Sequence, residues 1–248
     1  AAVVDPYAAA APPPSVSATP AVAPTVNVAE CLKKLRAADN GLLYEDPYIQ
    51  IGVKSQWQGN QGRVMFYLGN KHDADLNQLE LTLSSTPGLN ARLAPAPPSL
   101  GSKKQVQVLL ELAAASGYAG SPVVTLRYDV AGIGSVHQNL TTPYGAHKFL
   151  TPWAAPDAGA FFAKWHETTA AAQSVDVVTV SAEISSGGLP AIERALTSVN
   201  AHVLPGLDPN VNNVVAASTV TYSNGAECFA LARVESDANN RAVFRVTV

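Results

Sequence analysis

Hydrophobic and polar residues alternate in short runs through the first half of the chain. Leu79, Leu81 and Leu83, for example, alternate with polar residues, which is the pattern of a strand with one buried face. Gly, Pro, Asn and Asp separate the runs, as in "STPGLN" and "APAPPS". The predicted strands are 48–58, 62–70, 76–85, 104–115, 121–130 and 134–142. Such a succession predicts an antiparallel β-sandwich of roughly immunoglobulin size.

The pattern changes after residue 147. Apolar residues at helical spacing predict a helix over 157–171, and Pro190 marks the start of another helix, because proline is favoured in a first turn. Further strands are predicted over 174–184 and near 213–222, 227–235 and 241–248. We therefore predict an α+β chain. It has a sandwich subdomain over 27–146 and, over 147–248, a second subdomain of helices and strands.

Residues 1–26 differ from the rest of the chain in composition. They are rich in alanine and proline and carry one acidic residue and no basic one, so they cannot bury enough apolar surface to offset the entropy lost on ordering. We expect a flexible linker, extended around Pro12 to Pro14, that joins a larger upstream part. A short helix is predicted directly after it, over 27–37.

Composition argues against several classes of protein. Charged residues make up only 14% of the 248 residues and the net charge is −3, so no basic face for nucleic acid is visible. No apolar run approaches the roughly 18 residues of a membrane-spanning helix. Cys31 and Cys228 stand far apart without CxxC spacing. We therefore expect reduced, buried thiols in a cytosolic protein rather than a zinc site.

An enzyme is the alternative from another class. A hydrolase needs a nucleophile with a base within hydrogen-bond reach. The sequence has no GxSxG or HExxH motif, and its five histidines are scattered singly: His72, His137, His147, His166 and His202. We predict no catalytic residue, no metal site and no cofactor.

The segment "DAGAFFAKWHET", residues 157–168, is unusually aromatic. Asp157 stands where a helix N-cap belongs. On that helix Phe161 and Trp165 are four residues apart and Phe162 and Trp165 are three apart, so the three rings cannot share one narrow stripe. Two interpretations remain open. The rings fill a core, the commoner use of aromatic residues, or one of Phe162 and Trp165 faces solvent.

Three segments carry a resemblance to a known family. They are "GLLYEDPYIQIGVKSQWQGNQGRVMFYLGNK" (41–71), "HKFLTPWAAPDAGAFFAKW" (147–165) and "LDPNVNNVVAA" (207–217). Together they resemble the appendage, or ear, of alpha-adaptin, the large subunit of the clathrin adaptor complex at the plasma membrane. The similarity covers nearly everything from about residue 30 to the end. It implies an immunoglobulin-like sandwich packed against a platform subdomain of helices on an antiparallel sheet over 147–248. It also implies a linker to the membrane-bound core and recruitment of endocytic accessory proteins.

The resemblance also implies a peptide-binding site on the platform. In the family this site binds DPF, DPW or FxDxF motifs, and an exposed tryptophan on the first platform helix forms its floor. By motif that residue is Trp165, with Phe162 one turn before it. Arg233, Glu235 and Arg245 occupy the places of family residues beside the pocket. Arg233 and Glu235 are two residues apart on a predicted strand, so we expect them to share a face.

This sequence departs from the family at two places near that pocket. The family runs on past the position of Val248 and carries a further arginine there, so we expect the platform to be incomplete at one edge. Lys164 stands where the family has an arginine.

A second site is implied on the sandwich, for WxxF-type motifs. By motif it uses Lys54, Tyr67 and Gln105. Tyr67 replaces a common phenylalanine, which keeps the stacking face and adds a hydroxyl. The alternative for Tyr67 is simple cross-strand packing.

The expected partners are short motifs of accessory proteins and, through the linker, the rest of the adaptor. No nucleic acid and no direct membrane insertion are expected, and we predict a monomer that acts in the cytoplasm at coated pits. A beta-type appendage, which shares the two-part plan, remains an alternative, although the "IGVKSQW" and "LDPN" segments favour the alpha type.

Overall fold

The computed structural model describes residues 22–155, 157–169, 173–179, 182–236 and 241–247. Within these ranges only the backbone is described for residues 169, 173–179, 182–187, 236 and 241–247. Most of the predicted linker, residues 1–21, lies outside the described residues.

The first part of the chain forms two facing antiparallel sheets. The first has the spatial order β1 (Asn40–Glu45), β2 (Ile49–Gln58), β3 (Gln61–Asn70), β7 (Gln105–Ala114) and β5 (Leu89–Leu93). The second has the order β6 (Ser99–Leu100), β4 (Leu76–Leu83), β8 (Val123–Val130) and β9 (Gly134–Thr141). Helix α1 (Val28–Ala37) precedes them and begins at its N-cap Asn27, whose side chain accepts a hydrogen bond from the backbone N–H of Glu30.

The sandwich core follows from the alternation of its strands. On β2, Ile49, Ile51 and Val53 are buried while the residues between them face outward. Strands β3, β7 and β8 repeat this pattern from both sheets. A buried carboxylate, that of Asp46, links the two sheets within this core. It accepts hydrogen bonds from the hydroxyls of Tyr44 on β1 at 3.0 Å and Tyr128 on β8 at 2.5 Å. Both sheets are therefore joined by apolar contact and by this polar link.

The second part is a single five-stranded antiparallel sheet with helices on its faces. Its spatial order is β10 (Thr151–Pro152), β12 (Asn213–Thr221), β13 (Glu227–Ser236), β14 (Arg241–Thr247) and β11 (Gln173–Thr179). Helix α2 (Ala158–Thr169) packs on the face that carries Val215 and Leu231. Helix α3 (Ala182–Ser198) packs on the opposite face through Ile192 and Leu196. Because both faces are covered, β12 is buried along nearly its whole length.

The two parts are joined by packing and by hydrogen bonds. A short 3₁₀ helix, Ala146–Phe149, places Phe149 in the sandwich core cluster. Lys148 is 4% exposed, and its ammonium donates to Asp39 Oδ1 at 3.1 Å and to the carbonyl of Ala38 at 3.2 Å. In the turn between β12 and β13, the backbone N–H of Ser223 donates to the carbonyl of Ala114 at 2.9 Å. The 3₁₀ helix that leads into the platform and the turn between β12 and β13 therefore both contact the sandwich.

The α+β class and the sandwich-plus-platform plan are confirmed. Four strands, β1, β5, β6 and β10, were not predicted from the sequence. The predicted strand 174–184 is wrong at its end, because the strand ends at Thr179 and residues 182–184 belong to α3. Pro190 opens only the second half of α3. Gly188, with φ 60° and ψ −153°, interrupts the helix just before it, in a region of backbone conformation that is essentially restricted to glycine.

Candidate functional site

The structure brings the three predicted sandwich residues to one face of the first sheet. Tyr67 on β3 lies opposite Gly52 on β2 and opposite Gln107 on β7. Lys54 lies two residues after Gly52 on β2, and Gln105 lies two residues before Gln107 on β7. Because side chains two apart on a strand point to the same side, all three residues lie on the outer face of the sheet.

Part of this outer face is a shallow depression, which we call the sandwich groove. Its walls and floor are formed by Lys54, Gln56, Arg63, Met65, Tyr67 and Leu109. Met65, Tyr67 and Leu109 are half-buried, while Lys54 and Arg63 are exposed. Gln105 shares the face without lining the groove. The groove therefore offers an apolar floor with cationic side chains at its rim.

Met65 and Leu109 are groove residues that were not predicted from the sequence. The signal was present in residues 64–68, "VMFYL", which are apolar at successive positions. A strand with one solvated face alternates, so an uninterrupted apolar run indicates that the outer face also carries apolar side chains.

On the platform, helix α2 begins at the predicted cap. The carboxylate of Asp157 accepts from the backbone N–H of Ala160 at 2.7 Å. From this start the helix directs Phe161 and Trp165 toward the sheet, where their rings stack with centroids 6.0 Å apart and planes inclined at 23°. Val215, Ala217 and Leu231 complete the buried cluster around them.

The expectation that Trp165 is an exposed floor is not met. Its side chain is only 8% exposed, and Phe161 is fully buried. The physical reason is helical geometry, because a side chain four residues after a fully buried one points to the same side of the helix. Phe162 is the aromatic residue that reaches the surface. It is half-buried, and its ring meets that of Phe161 edge-to-face at 5.2 Å.

Arg233 and Glu235 share a face of β13, as their spacing predicts. Arg233 Nη1 donates to Glu235 Oε1 at 2.5 Å. Arg233 Nε also donates to Asp208 Oδ2 at 2.6 Å, and Nη2 approaches Asp208 Oδ1 at 3.4 Å. Among the described residues, these bonds use three of the five N–H groups that a guanidinium carries.

Asp208 is the platform residue that sequence reasoning missed. It is 6% exposed and belongs to the "LDPN" segment, where it also accepts from the backbone N–H of Asn210 at 2.8 Å. Burial alone raises the pKa of Asp208, but the hydrogen bonds from Arg233 and Asn210 outweigh it, and the net pKa lies below its usual range. The hydrogen bond that Arg233 donates to Asp208 in turn raises the pKa of Arg233. The pair is therefore fully charged, and it fixes the guanidinium in place.

Arg245 and Lys164 are the other two residues near this cluster that were named from the sequence. Arg245 on β14 lies directly opposite Arg233 in the strand register, and its backbone alone is described. Lys164 forms an ion pair with Glu167 at 2.7 Å, and its ammonium lies 4.5 Å from the ring centroid of Phe229. Lys164 is thus held against its own helix and the sheet.

Three further features of the described residues are the state of the cysteines, the potential metal ligands and the character of the helices. Both cysteines are free thiols, and both are half-buried rather than buried as expected. The described residues contain no group of three or more His, Cys, Asp or Glu side chains arranged to hold a metal ion. Within the described part of the chain, no helix has the length and apolar character needed to cross a membrane.

Comparison with known proteins gives two family matches in succession. The model described as "Adaptin C-terminal domain" matches residues 39–143, and the one described as "Alpha adaptin AP2, C-terminal domain" matches residues 148–248. The AP-2 complex subunit alpha-1 of Arabidopsis thaliana is 32% identical over 222 residues, which are 90% of this chain and 22% of that protein. The AP-2 complex subunit alpha-2 of Dictyostelium discoideum is 29% identical over 86% of this chain and 21% of its own length.

The chain therefore spans little more than a fifth of these relatives, at 22% and 21% of their lengths. Among solved structures, the GAE domain of GGA2p from Saccharomyces cerevisiae aligns with 44% of this chain and 98% of its own, at 11% identity and a TM-score of 0.38. A likeness this low carries no weight for fold or function.

Proposed function

Because this chain belongs to the family of alpha-adaptin C-terminal appendage domains, we propose that it recruits endocytic accessory proteins to an AP-2 adaptor by binding short peptide motifs. Members of this family are non-catalytic interaction domains, and the chain is not an enzyme. The proposed ligands are WxxF-type motifs at the sandwich and DPF, DPW and FxDxF motifs at the platform.

The sandwich groove carries this proposal, because Lys54 and Tyr67 line one depression with an apolar floor. The half-buried ring of Tyr67 offers a rigid face on which a ligand aromatic ring stacks with little loss of conformational entropy. Met65 and Leu109 lie beside it and remove water from the ligand ring. Lys54 and Gln105 are positioned at exposed sites of the same face to bind the ligand's polar groups.

The platform part of the proposal rests on Phe162 and Arg233. Phe162 supplies the surface ring, while the buried stack of Phe161 and Trp165 supports it from below. Arg233, held by Asp208 and Glu235, supplies a fixed cation for the aspartate of a DPF or FxDxF motif. Arg245 occupies the register position next to it. Trp165 then contributes through the rigidity of the surface and the edge of its ring rather than as an exposed floor.

The wider assignments follow from the same family. We place the chain in the cytoplasm at clathrin-coated pits of the plasma membrane, with the remainder of the adaptor as its partner through the linker, and we propose that it is monomeric when isolated. The alpha type is favoured over a beta-type appendage because the relatives named above are alpha subunits.

Peptide titrations followed by NMR test this function. A WxxF-type peptide is expected to shift amide resonances around Lys54, Tyr67 and Gln105, and an FxDxF peptide those around Phe162 and Arg233. Tyr67→Ala should remove only the first response and Phe162→Ala only the second. Thr82→Ala, at an exposed position of the other sheet, is the matched control and should change neither. If both peptides perturb the same residues, the proposal of two sites is wrong.

A further inference from the structure

We propose that Val211 is a specificity-determining residue of the platform, and that it contacts an aliphatic side chain flanking the motif of a bound peptide. Val211 belongs to residues 207–213, which we call the platform loop. The proposal rests on the proposed peptide-binding function of the platform and names its ligands more closely. Nothing in the family resemblance assigns a role to Val211.

Exposure is the first observation. Among the described residues, Val211 is the most exposed large apolar side chain, at 80%, and Ile133 follows at 44%. A single exposed apolar residue is common on protein surfaces, so its exposure alone does not indicate a function. The position of Val211 and the order of its loop supply the rest of the argument.

The platform loop lies beside the residues that are proposed to bind ligand. At its start, Leu207 packs against the same buried cluster as Phe162. The next residue, Asp208, accepts the hydrogen bond from Arg233 Nε at 2.6 Å. At its end, the chain enters β12 directly opposite Glu235 on β13. An exposed side chain on this loop is therefore next to the proposed ligand surface.

Hydrogen bonds fix the backbone of the platform loop. Asp208 Oδ1 accepts from the backbone N–H of Asn210 at 2.8 Å and from Asn213 Nδ2 at 3.3 Å. Asn210 Oδ1 accepts from the backbone N–H of Asn212, and the carbonyl of Asn210 accepts from that of Asn213, both at 3.0 Å. These local bonds, which are typical of Asx turns, lie on both sides of Val211. An apolar residue on an ordered backbone loses little entropy when a ligand covers it.

The spacing of the groups sets the position of the ligand's aliphatic residue. The Cα atoms of Asp208 and Val211 are at most about 11 Å apart, the length of three extended residues, and Asp208 contacts Arg233. A ligand whose aspartate binds Arg233 thus reaches Val211 with about its third or fourth residue from that aspartate, at roughly 3.3 Å per residue. The FxDxF motif extends only two residues to either side of its aspartate, so the residue at Val211 lies outside the motif.

Calorimetric titrations with three synthetic peptides test the proposal. All three carry the same FxDxF motif. The first has leucines three and four residues before the aspartate, the second has them three and four residues after it, and the third has serines at all four positions. We expect one leucine peptide to bind the full chain about three- to tenfold more tightly than the serine peptide, as partial burial of an aliphatic side chain allows. Because this gain comes from apolar contact, it should persist when salt is raised.

Protein variants assign the gain to one residue. Val211→Ser should abolish the gain and leave the affinity for the serine peptide unchanged. Its melting temperature should equal that of wild type, because the hydrogen bonds of the platform loop do not involve the side chain of Val211. Ile133→Ser, the matched control at an exposed aliphatic residue between β8 and β9, should keep the gain. Phe162→Ala should weaken all three peptides.

Two sets of outcomes would overturn the proposal in distinguishable ways. A leucine gain that survives Val211→Ser would refute the role of Val211 and leave the platform site standing, as would equal binding of the three peptides with the response to Phe162→Ala retained. Absence of binding, or binding of the serine peptide indifferent to Phe162→Ala, would refute the platform site, and the role of Val211 with it.

Discussion

At the scale of single residues, burial divides the aromatic side chains of α2 into two roles. Trp165 is 8% exposed and stacked on Phe161, so Trp165→Ala should lower the free energy of unfolding by about 3–5 kcal/mol, the usual cost of removing a buried aromatic side chain. Binding of FxDxF peptides should weaken as well, because the surface above the cavity loses its support. Urea denaturation and calorimetric titration of one protein sample measure both effects.

Phe162→Ala provides the contrasting variant. Since Phe162 is half-buried, its truncation should cost about 1 kcal/mol of stability and at least as much peptide affinity as Trp165→Ala. If Trp165→Ala leaves stability unchanged while peptide binding is lost, the tryptophan is a surface residue in solution and the role assigned to Phe162 is wrong.

Asp208 gives a pH-dependent prediction at the same scale. Its pKa is lower in the folded protein than its ordinary value of 3.8, so its contribution to stability is present at neutral pH and is lost as pH falls through the region below about 4. Asp208→Asn should therefore cost about 1.5–3 kcal/mol at pH 7, through weaker bonds to Arg233. The difference between wild type and variant should disappear toward pH 2.

Unfolding free energies at several pH values measure this difference. Asp73→Asn is the matched control, because Asp73 pairs with Lys103 in an exposed position where an ion pair contributes little. A cost of Asp208→Asn that stays constant from pH 7 to pH 2 would contradict the assigned role of the charge.

Residue spacing predicted some of these contacts and not others. The contact between Arg233 and Glu235 follows from their separation of two on a strand. Asp208 and Arg233 are 25 residues apart, and nothing local relates them. The choice between Phe162 and Trp165 depends on the angle at which α2 meets the sheet, so the helical pattern left it open.

At the scale of elements, the start of α2 depends on one carboxylate. Asp157 accepts from the N–H of Ala160, and Asp157→Ala should cost about 1 kcal/mol, because that N–H loses its partner. Asp157→Ser keeps a capping oxygen and should restore most of the stability. Circular dichroism melts measure the change, and identical melting temperatures for the two variants would show that the cap is not needed.

The long strands were predictable, whereas the two-residue strands and the irregularity within β4 were not. Strands β2, β3, β7 and β8 carry enough alternating residues to show a period of two. Strands β6 and β10 have two residues each, too few for any period. On β4, Leu76 and Leu79 are both buried although they are three apart. A register irregularity between Asn77 and Glu80, with Gln78 at φ 48°, absorbs the extra residue, as a β-bulge does.

At the scale of the whole molecule, Lys148 is a hydrogen-bonding residue of the junction between sandwich and platform, and its substitution tests that junction. Its buried ammonium bonds to Asp39 and to the carbonyl of Ala38. Lys148→Met keeps much of the volume and removes these bonds, so we expect a loss of about 1–3 kcal/mol and faster amide hydrogen exchange at Ser223. Lys33→Met, at an exposed position on α1, is the control. Unchanged exchange at Ser223 in Lys148→Met would show that the junction does not depend on this lysine.

The same junction has a consequence for ligands that carry two motifs. Because Lys148, Phe149 and Ser223 fix the platform to the sandwich, the distance between the two proposed surfaces is constant. A disordered accessory protein with one motif for each surface then binds the second intramolecularly, at an effective concentration set by the spacer between its motifs. Avidity should peak at one spacer length and fall for shorter or longer spacers. A loosened junction would broaden that optimum, so the rigidity of the connection selects among multivalent partners by the spacing of their motifs.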